Sequence, residues 1–317
     1  MEFIAARQEA NDNIILAMTT PKTTDQFPKA KYEITALHAA LLAREKEVSF
    51  ADDTIAGSQF VLGPEKLTII GAPPGAGKSA LAMQIAFEVL QHNDELSLVV
   101  ANAEMDFRSL LKREVARRSG VSHSRILRAT YNDDELALID KVCADLFDEC
   151  GRRCRHMQVP FTASELDALS LHEPGLLVVD YLQRFRASGT ESRSGVDDVV
   201  NCLKNLATHG WAVLALSATT RHFGKDGGHD PSKLGLSSFK ESSEIEYTAD
   251  AAYVLRNKSD RHAGVKDIDL DCVKNRSGPE PLWELRFSAE LLRFERKEPE
   301  IYEEFKGYAQ GSDEKPW

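Results

Sequence analysis

The chain predicts an α/β fold with a mainly parallel central sheet, and three observations carry that prediction. Apolar runs of strand length alternate with stretches of helical periodicity from residue 66 to residue 217. One of those runs enters a glycine-rich turn, Gly71-Ala-Pro-Pro-Gly-Ala-Gly-Lys78-Ser79, which opens a helix. Another, Leu176-Leu-Val-Val-Asp180, is four apolar residues closed by a carboxylate, the pattern of a buried strand with an acid at its carboxyl end.

Residues 1–30 are polar and mixed. A helix over Ile34–Lys46 carries Leu37, Ala40, Leu41 and Ala43 at helical spacing and needs a surface to cover. The body then reads as strand 66–71, helix 78–92, strand 97–103, helix 107–119, a helix near 133–149, a short strand at 156–160 and a helix from 163. Strand Gly175–Asp180, a helix near 195–209 and strand Trp211–Ser217 complete the alternation. Ala251–Arg256, Asp267–Asn275 and Leu282–Ser288 follow with little helix between, as an antiparallel extension of the sheet does. The last residues, Gln310 to Trp317, read as a loose tail. The expected organisation is an N-terminal extension over 1–54 with its helix at about 34–46, a main domain over 55–298, and a tail over 299–317.

In a chain of 317 residues, 50 acidic side chains outnumber 39 basic ones, a net charge of -11. No global field draws such a chain to nucleic acid, so any contact of that kind needs a local basic patch. An apolar run of membrane-spanning length and a basic-plus-apolar leader are both missing, which predicts a cytoplasmic chain with no membrane partner. Five cysteines, an odd number, read as reduced thiols, and the spacing of Cys150, Cys154 and His156 matches no standard zinc pairing.

The glycine-rich turn is a phosphate cradle. Gly75 and Gly77 let successive backbone N–H groups converge on phosphate oxygens, and the following helix presents its positive end to the same anion. The expected nucleotide-binding run is Gly71, Ala72, Pro73, Pro74, Gly75, Ala76, Gly77, Lys78, Ser79 and Ala80. Lys78 reaches the β- and γ-phosphates and Ser79 holds Mg²⁺. The strict pattern has glycine six positions before the lysine; here Ala72 stands there, with Gly71 one place earlier. Asp180 is the natural partner of Ser79 on magnesium. Glu104 closes the run Leu98-Val-Val-Ala-Asn-Ala-Glu104, which this reading sets beside the phosphate-loop strand, where a carboxylate polarises the attacking water.

The ordered set of Gly71–Ser79, Asn102-Ala-Glu104-Met-Asp106, Leu177-Val-Val-Asp180-Tyr-Leu-Gln183, Leu216-Ser-Ala-Thr-Thr-Arg221, Lys240-Glu-Ser-Ser-Glu-Ile-Glu246 and Lys274-Asn-Arg276-Ser-Gly278 resembles the RecA-type ATPase domain of the DnaB-like replicative helicases. The resemblance covers roughly residues 55–296, its most specific member is Asp-Tyr-Leu-Gln, and Leu291–Glu295 resembles the family's closing strand. It implies a RecA-like P-loop NTPase fold using ATP and Mg²⁺. It also implies a homohexameric ring that closes its ATP sites between subunits and moves on single-stranded DNA, with a primase or helicase loader as partner. By this resemblance Glu104 is the catalytic acid, Asp180 the second magnesium-side group, and Gln183 joins the nucleotide-binding set. Lys274 and Arg276 act in trans on the γ-phosphate of the adjacent subunit.

DNA contact, by the same resemblance, falls to Lys240, Glu241 and Ser243, with Arg221 and Lys225 (beside His222 and Lys233) on the glycine-rich loop before them. Arg184, Arg186 and Arg193 add charge after Asp180. Three departures stand out. Ala218 replaces the glutamine that senses the γ-phosphate, and Ser243 replaces a glycine. About 55–65 residues precede the core, too few for the family's N-terminal helical domain, although the helix over Ile34–Lys46 can serve as a linker that docks on a neighbouring subunit. Two other readings stay open: a RecA/KaiC-like regulatory or recombination ATPase, favoured by Ala218, and an ATP-binding interaction subunit, which intact Lys78, Ser79, Glu104 and Asp180 count against.

Overall fold

The computed structural model describes residues 30–44, 47–157, 162–184, 192–219, 234–239, 244–258 and 264–297. The chain divides after Val48 into two units. The first contributes helix α1 (Ala30–Ala43), which begins four residues before the expected start. Its Ile34, Leu37, Leu41 and Leu42 are 60–67% exposed, an apolar stripe at helical spacing.

In the second unit, the central apolar runs become strands because each is sheltered on both faces. β1 (Leu67–Ala72) is buried throughout and leads into α2 (Lys78–His92). β2 (Leu98–Asn102) is followed by α3 (Phe107–Ser119), whose N-cap Asp106 accepts from Ser109 N at 2.9 Å and which stops at left-handed Gly120. A six-residue helix, α4 (His123–Arg128), capped by Ser122, has no counterpart in the sequence reading; it is too short to show periodicity. A capping box of Asn132 and Glu135 starts α5 (Asp133–Cys150). β3 (Cys154–His156) begins two residues before the expected strand because Cys154 pairs with Leu98; residues 158–161 lie outside the described set.

Then follow α6 (Ala163–Asp167), β4 (Leu176–Asp180), α7 (Ser192–Thr208), β5 (Ala212–Ala218), the short helix α8 (Glu244–Thr248), β6 (Ala251–Asn257), β7 (Val265–Asn275), β8 (Leu282–Ser288) and β9 (Arg293–Arg296).

Among the described residues the strands form one sheet in the order β3-β2-β4-β5-β1-β6-β7-β8-β9. The first six run parallel, and β7, β8 and β9 add antiparallel, as expected. One expectation is corrected: β2 is not the neighbour of β1. Both edges of β1 are taken, by β5 from Leu67↔Val213 to Ala72↔Ala218 and by β6 from Thr68↔Ala251 to Gly71↔Val254. The α2 crossover therefore carries the chain past two slots that β4 and β5 later fill, and β2 pairs with β3 and β4 instead. This opens a crevice above the carboxyl ends of the central strands, where sheets of this kind bind ligands.

Alternation along β1 feeds two core layers. Ile70 and Ala72 pack with Ile85, Phe87, Val100, Val178, Leu214 and Tyr253 on one face, Leu67 and Ile69 with Val199, Leu203, Trp211 and Val213 on the other. Each fully buried side chain of this size stabilises by roughly 1.5–3 kcal/mol. All five cysteines are free. Among the described residues no helix is long and apolar enough to cross a membrane.

Candidate active site

The carboxyl end of β1 turns directly into the phosphate loop. Gly75 and Gly77 hold left-handed backbone angles, φ 78° and 93°, that a side chain would strain. Gly77 caps α2 without a side-chain hydrogen bond, so the first N–H groups of a fifteen-residue helix stay available to an anion. Ala72 fits where the strict motif has glycine, its methyl buried against the core. Gly71 has a different reason to lack a side chain: a β-carbon there would lie 2.5 Å from Cε1 of Phe239.

Asp180 ends β4, next to β2, and its Oδ2 accepts from Asn102 Nδ2 at 3.0 Å. Asn102 in turn takes the backbone N–H groups of Glu104 and Met105 on its Oδ1, each at 2.8 Å, so one amide positions both carboxylate-bearing segments. Asp180 is 1% exposed, and its Oδ1 has no hydrogen-bond partner of good geometry among the described residues. Burial pushes its carboxyl above the ordinary range and Glu104 adds to that, while the Ser79 hydroxyl, Lys78 and Asn102 pull it down. A buried, orphaned carboxylate oxygen beside a serine hydroxyl is what a hard cation needs, so Ser79 and Asp180 fit Mg²⁺. Lys78 Nζ lies 4.8 Å from the centre of the Tyr181 ring. The Asp180–Tyr181 peptide is cis.

Glu104 lies two residues beyond the end of β2 and is exposed. The capping of α3 falls to Asp106, so Glu104 has no such structural duty. Its charge and that of Asp180 both act on Arg113, whose guanidinium burial pushes below its usual pKa. Arg113 also lines the cleft beside Ser79 with Leu110 and Leu292.

The structure therefore brings Lys78, Ser79, Glu104 and Asp180 to one end of the sheet. Lys274 and Arg276 are not with them. Lys274 pairs with Ala252 on β6, level with Ile69 on β1, three residues or roughly 10 Å of strand before the loop begins. There Lys274 Nζ donates to Glu246 O at 2.6 Å, Arg276 donates to Tyr247 O, and the Arg276 guanidinium lies 3.7 Å from Asp250 Oδ1. Burial, with Arg276 adding, lowers the Lys274 pKa. Gln183 lies at the loop's end of the sheet: it donates to Ser217 Oγ at 2.9 Å and accepts from Ala218 N at 3.1 Å, and Ala218 pairs with Ala72, the last residue of β1. Arg221, Lys225, Lys240, Glu241 and Ser243, like Arg186, lie outside the described residues.

Sequence reasoning missed the roles of Asn102 and Arg113. Asn102 left only the local signature of a turn, through Glu104 N and Met105 N; its bond to Asp180 comes from a strand 78 residues away. Arg113 left a signature too: it lies with Leu110 and Glu114 on the inward face of α3, where a charged side chain requires partners.

Residues 51–296 match the model of the DnaB-like helicase C-terminal domain. A probable plasmid replicative DNA helicase of Chlamydia muridarum (strain MoPn / Nigg) is 24% identical over 261 residues, 79% of this chain and 56% of the relative. The replicative DNA helicase DnaC of Bacillus subtilis (strain 168) is 25% identical over 249 residues, 72% of this chain and 52% of the relative. The chain thus spans a little over half the length of the curated relatives it matches. A solved structure of an ATPase domain on its own superposes with a TM-score of 0.72 at 16% identity, covering 86% of this chain and 100% of that one. A DnaB-like replicative helicase, solved in a study of its interactions with primase, superposes with a TM-score of 0.69 at 15% identity, covering 94% of this chain and 76% of that one. The fold is accordingly that of the RecA-like helicase ATPase domains, and with the family's model matched over residues 51–296, most of its length, the chain belongs to the DnaB-like helicase C-terminal domain family.

Proposed function

We propose that this domain is an ATP-driven motor that works between subunits of a ring, with a phosphate loop on one copy and basic residues from the next. Lys78 and the loop N–H groups bind the β- and γ-phosphates of ATP. Ser79 and Asp180 would hold Mg²⁺, which when bound neutralises charge developing on the phosphates. Glu104, exposed and oriented through Asn102, positions the attacking water. Lys274 and Arg276 of one copy act on the γ-phosphate held by its neighbour.

The observation that carries this reading is the separation of the two sets: loop and carboxylates at the carboxyl end of β1, Lys274 and Arg276 level with its beginning. That separation supports a role for both residues at the loop of a second copy. On this reading residues 55–298 form the ATPase unit, and α1 in the 1–54 extension docks on the neighbouring copy. Single-stranded DNA runs along the 221–243 region, with Arg221, Lys225, Lys240, Glu241 and Ser243 at the phosphates, in the cytoplasm. The relative studied with primase supports a primase-type partner.

Ala218 favours a second reading, a regulatory or recombination ATPase whose turnover ignores DNA, because an alanine at the tip of β5 cannot report on the γ-phosphate. Steady-state ATPase activity with and without single-stranded DNA, at low and moderate salt, separates the two, with Lys78→Ala as the blank. Stimulation by DNA that fades with salt is expected of the motor. A DNA-blind rate selects the second reading, and no rate above the blank removes both. Glu104→Gln should retain ATP binding and lose turnover.

A further inference from the structure

Lys266 stands at the start of β7, far along the chain from the phosphate loop, yet its Nζ donates to the carbonyl oxygen of Gly75 at 3.0 Å. The contact belongs to a larger support. The ammonium lies 6.0 Å from the centre of the Phe287 ring, and Phe287 stacks on Phe294 with centroids 4.4 Å apart. Phe294 presses on the loop's second glycine, since a β-carbon on Gly77 would lie 2.9 Å from its Cζ. The backbone of Phe294 is clamped in turn to α2 by the Gln84 amide, which donates to its oxygen at 3.0 Å and accepts from its nitrogen at 2.9 Å. The antiparallel extension therefore touches the phosphate loop at two points, an aromatic ring at Gly77 and an ammonium at Gly75.

We propose that Lys266 is a nucleotide-positioning residue that holds the loop ready for phosphate; the inference rests on the nucleotide reading of that loop. In a trans peptide the carbonyl and the following N–H point to opposite sides. Holding the Gly75 oxygen toward β7 therefore turns the Ala76 N–H to the interior of the loop, where it makes a long bond to Pro73 O at 3.3 Å. Gly75, with its left-handed φ of 78° and open space where a β-carbon would stand, has no side chain to fix that peptide plane. An external donor does so instead. The ordering is complete before the nucleotide arrives, and the ammonium adds positive charge beside a polyanion.

The test uses the full chain, a fluorescent methylanthraniloyl-ATP analogue with Mg²⁺, and three variants. Lys266→Met keeps the stem over Phe287 and removes the donor, Lys266→Arg restores a donor, and Lys78→Ala is the control for binding. Loss of one charge-assisted bond to the loop is expected to weaken analogue binding by about tenfold. The KM for ATP should rise by a similar factor, kcat should stay within about twofold of the parent, and Lys266→Arg should recover most of the affinity. Equal binding by Lys266→Met and the parent overturns the inference alone, as does a fall in kcat at constant KM or a failure of arginine to restore affinity. If the parent binds no better than Lys78→Ala, the nucleotide reading itself fails and this inference with it.

Discussion

At Asp180 the chain keeps an ionisable side chain 1% exposed, and the Ser79 hydroxyl, Lys78 and the Asn102 amide offset only part of the cost of its burial. Its folded pKa lies above the unfolded value, so its favourable contribution is complete below the unfolded pKa and is lost as pH rises through the folded one. Asp180→Asn should therefore unfold at a higher temperature than the parent near pH 7 without magnesium. Each 1 kcal/mol relieved corresponds to about 2–4 °C in a domain of this size, and the gap should narrow toward pH 4. The same variant should lose ATP turnover; calorimetry and an ATPase assay check the two halves. Arg113 bears on Asp180 and Glu104 together. Arg113→Ala should lower kcat roughly ten- to a hundredfold, the scale of losing one aligned electrostatic group, with a smaller change in KM. Lys78, Ser79 and Asp180 were legible because their chemistry is written in adjacent residues; Asn102, Arg113 and Lys266 were not, because their partners arrive from other elements.

Elements meet at two joints that no local pattern announces. At the first, β1 meets Phe239: the residue is 6% exposed, its ring lies where a side chain on Gly71 would be, and Thr219 forms an isolated bridge to it. Gly71→Ala should overpack this joint and destabilise by about 1–3 kcal/mol, read as a lower denaturant midpoint, although alanine is otherwise at home in a strand that already carries Ala72. At the second, Asp250 joins three elements. It takes Leu67 N at 2.8 Å from β1 and Lys204 Nζ at 2.7 Å from α7, and lies beside Arg276 beyond β7. The carbonyls of Glu246 and Tyr247 on α8 hold Lys274 and Arg276 at the same place. The central strands were legible because apolar runs of five to seven residues specify burial on both faces, and β8 because its exposure alternates. Neither the order of the strands nor α4 was, since pairing partners and six-residue helices leave no periodic trace.

For the whole molecule, the layout predicts complementation. Arg276→Ala and Lys78→Ala chains, each inactive alone, should recover a fraction of parental turnover when mixed, because some interfaces then join an intact loop to an intact Arg276; mixtures that stay inactive remove the trans assignment. The exposed stripe of Ile34, Leu37, Leu41 and Leu42 predicts that Leu37→Asp with Leu41→Asp shifts the chain to smaller species in light scattering, while analogue binding to the loop persists. What the amino-acid sequence determined by itself was the class of fold, the glycine-rich loop, the carboxylate that closes β4 and the family, because each is set by spacing within one short segment or by the order of such segments. Only the tertiary structure decided which strands lie between β1 and β2, which side chains orient the carboxylates, and that Lys274 and Arg276 stand away from their own loop while Lys266 touches it. The contacts of Asn102 with Asp180 and of Lys266 with Gly75 span 78 and 191 residues of chain, and the packing of the sheet, through burial and hydrogen-bond pairing, is what brings their ends together.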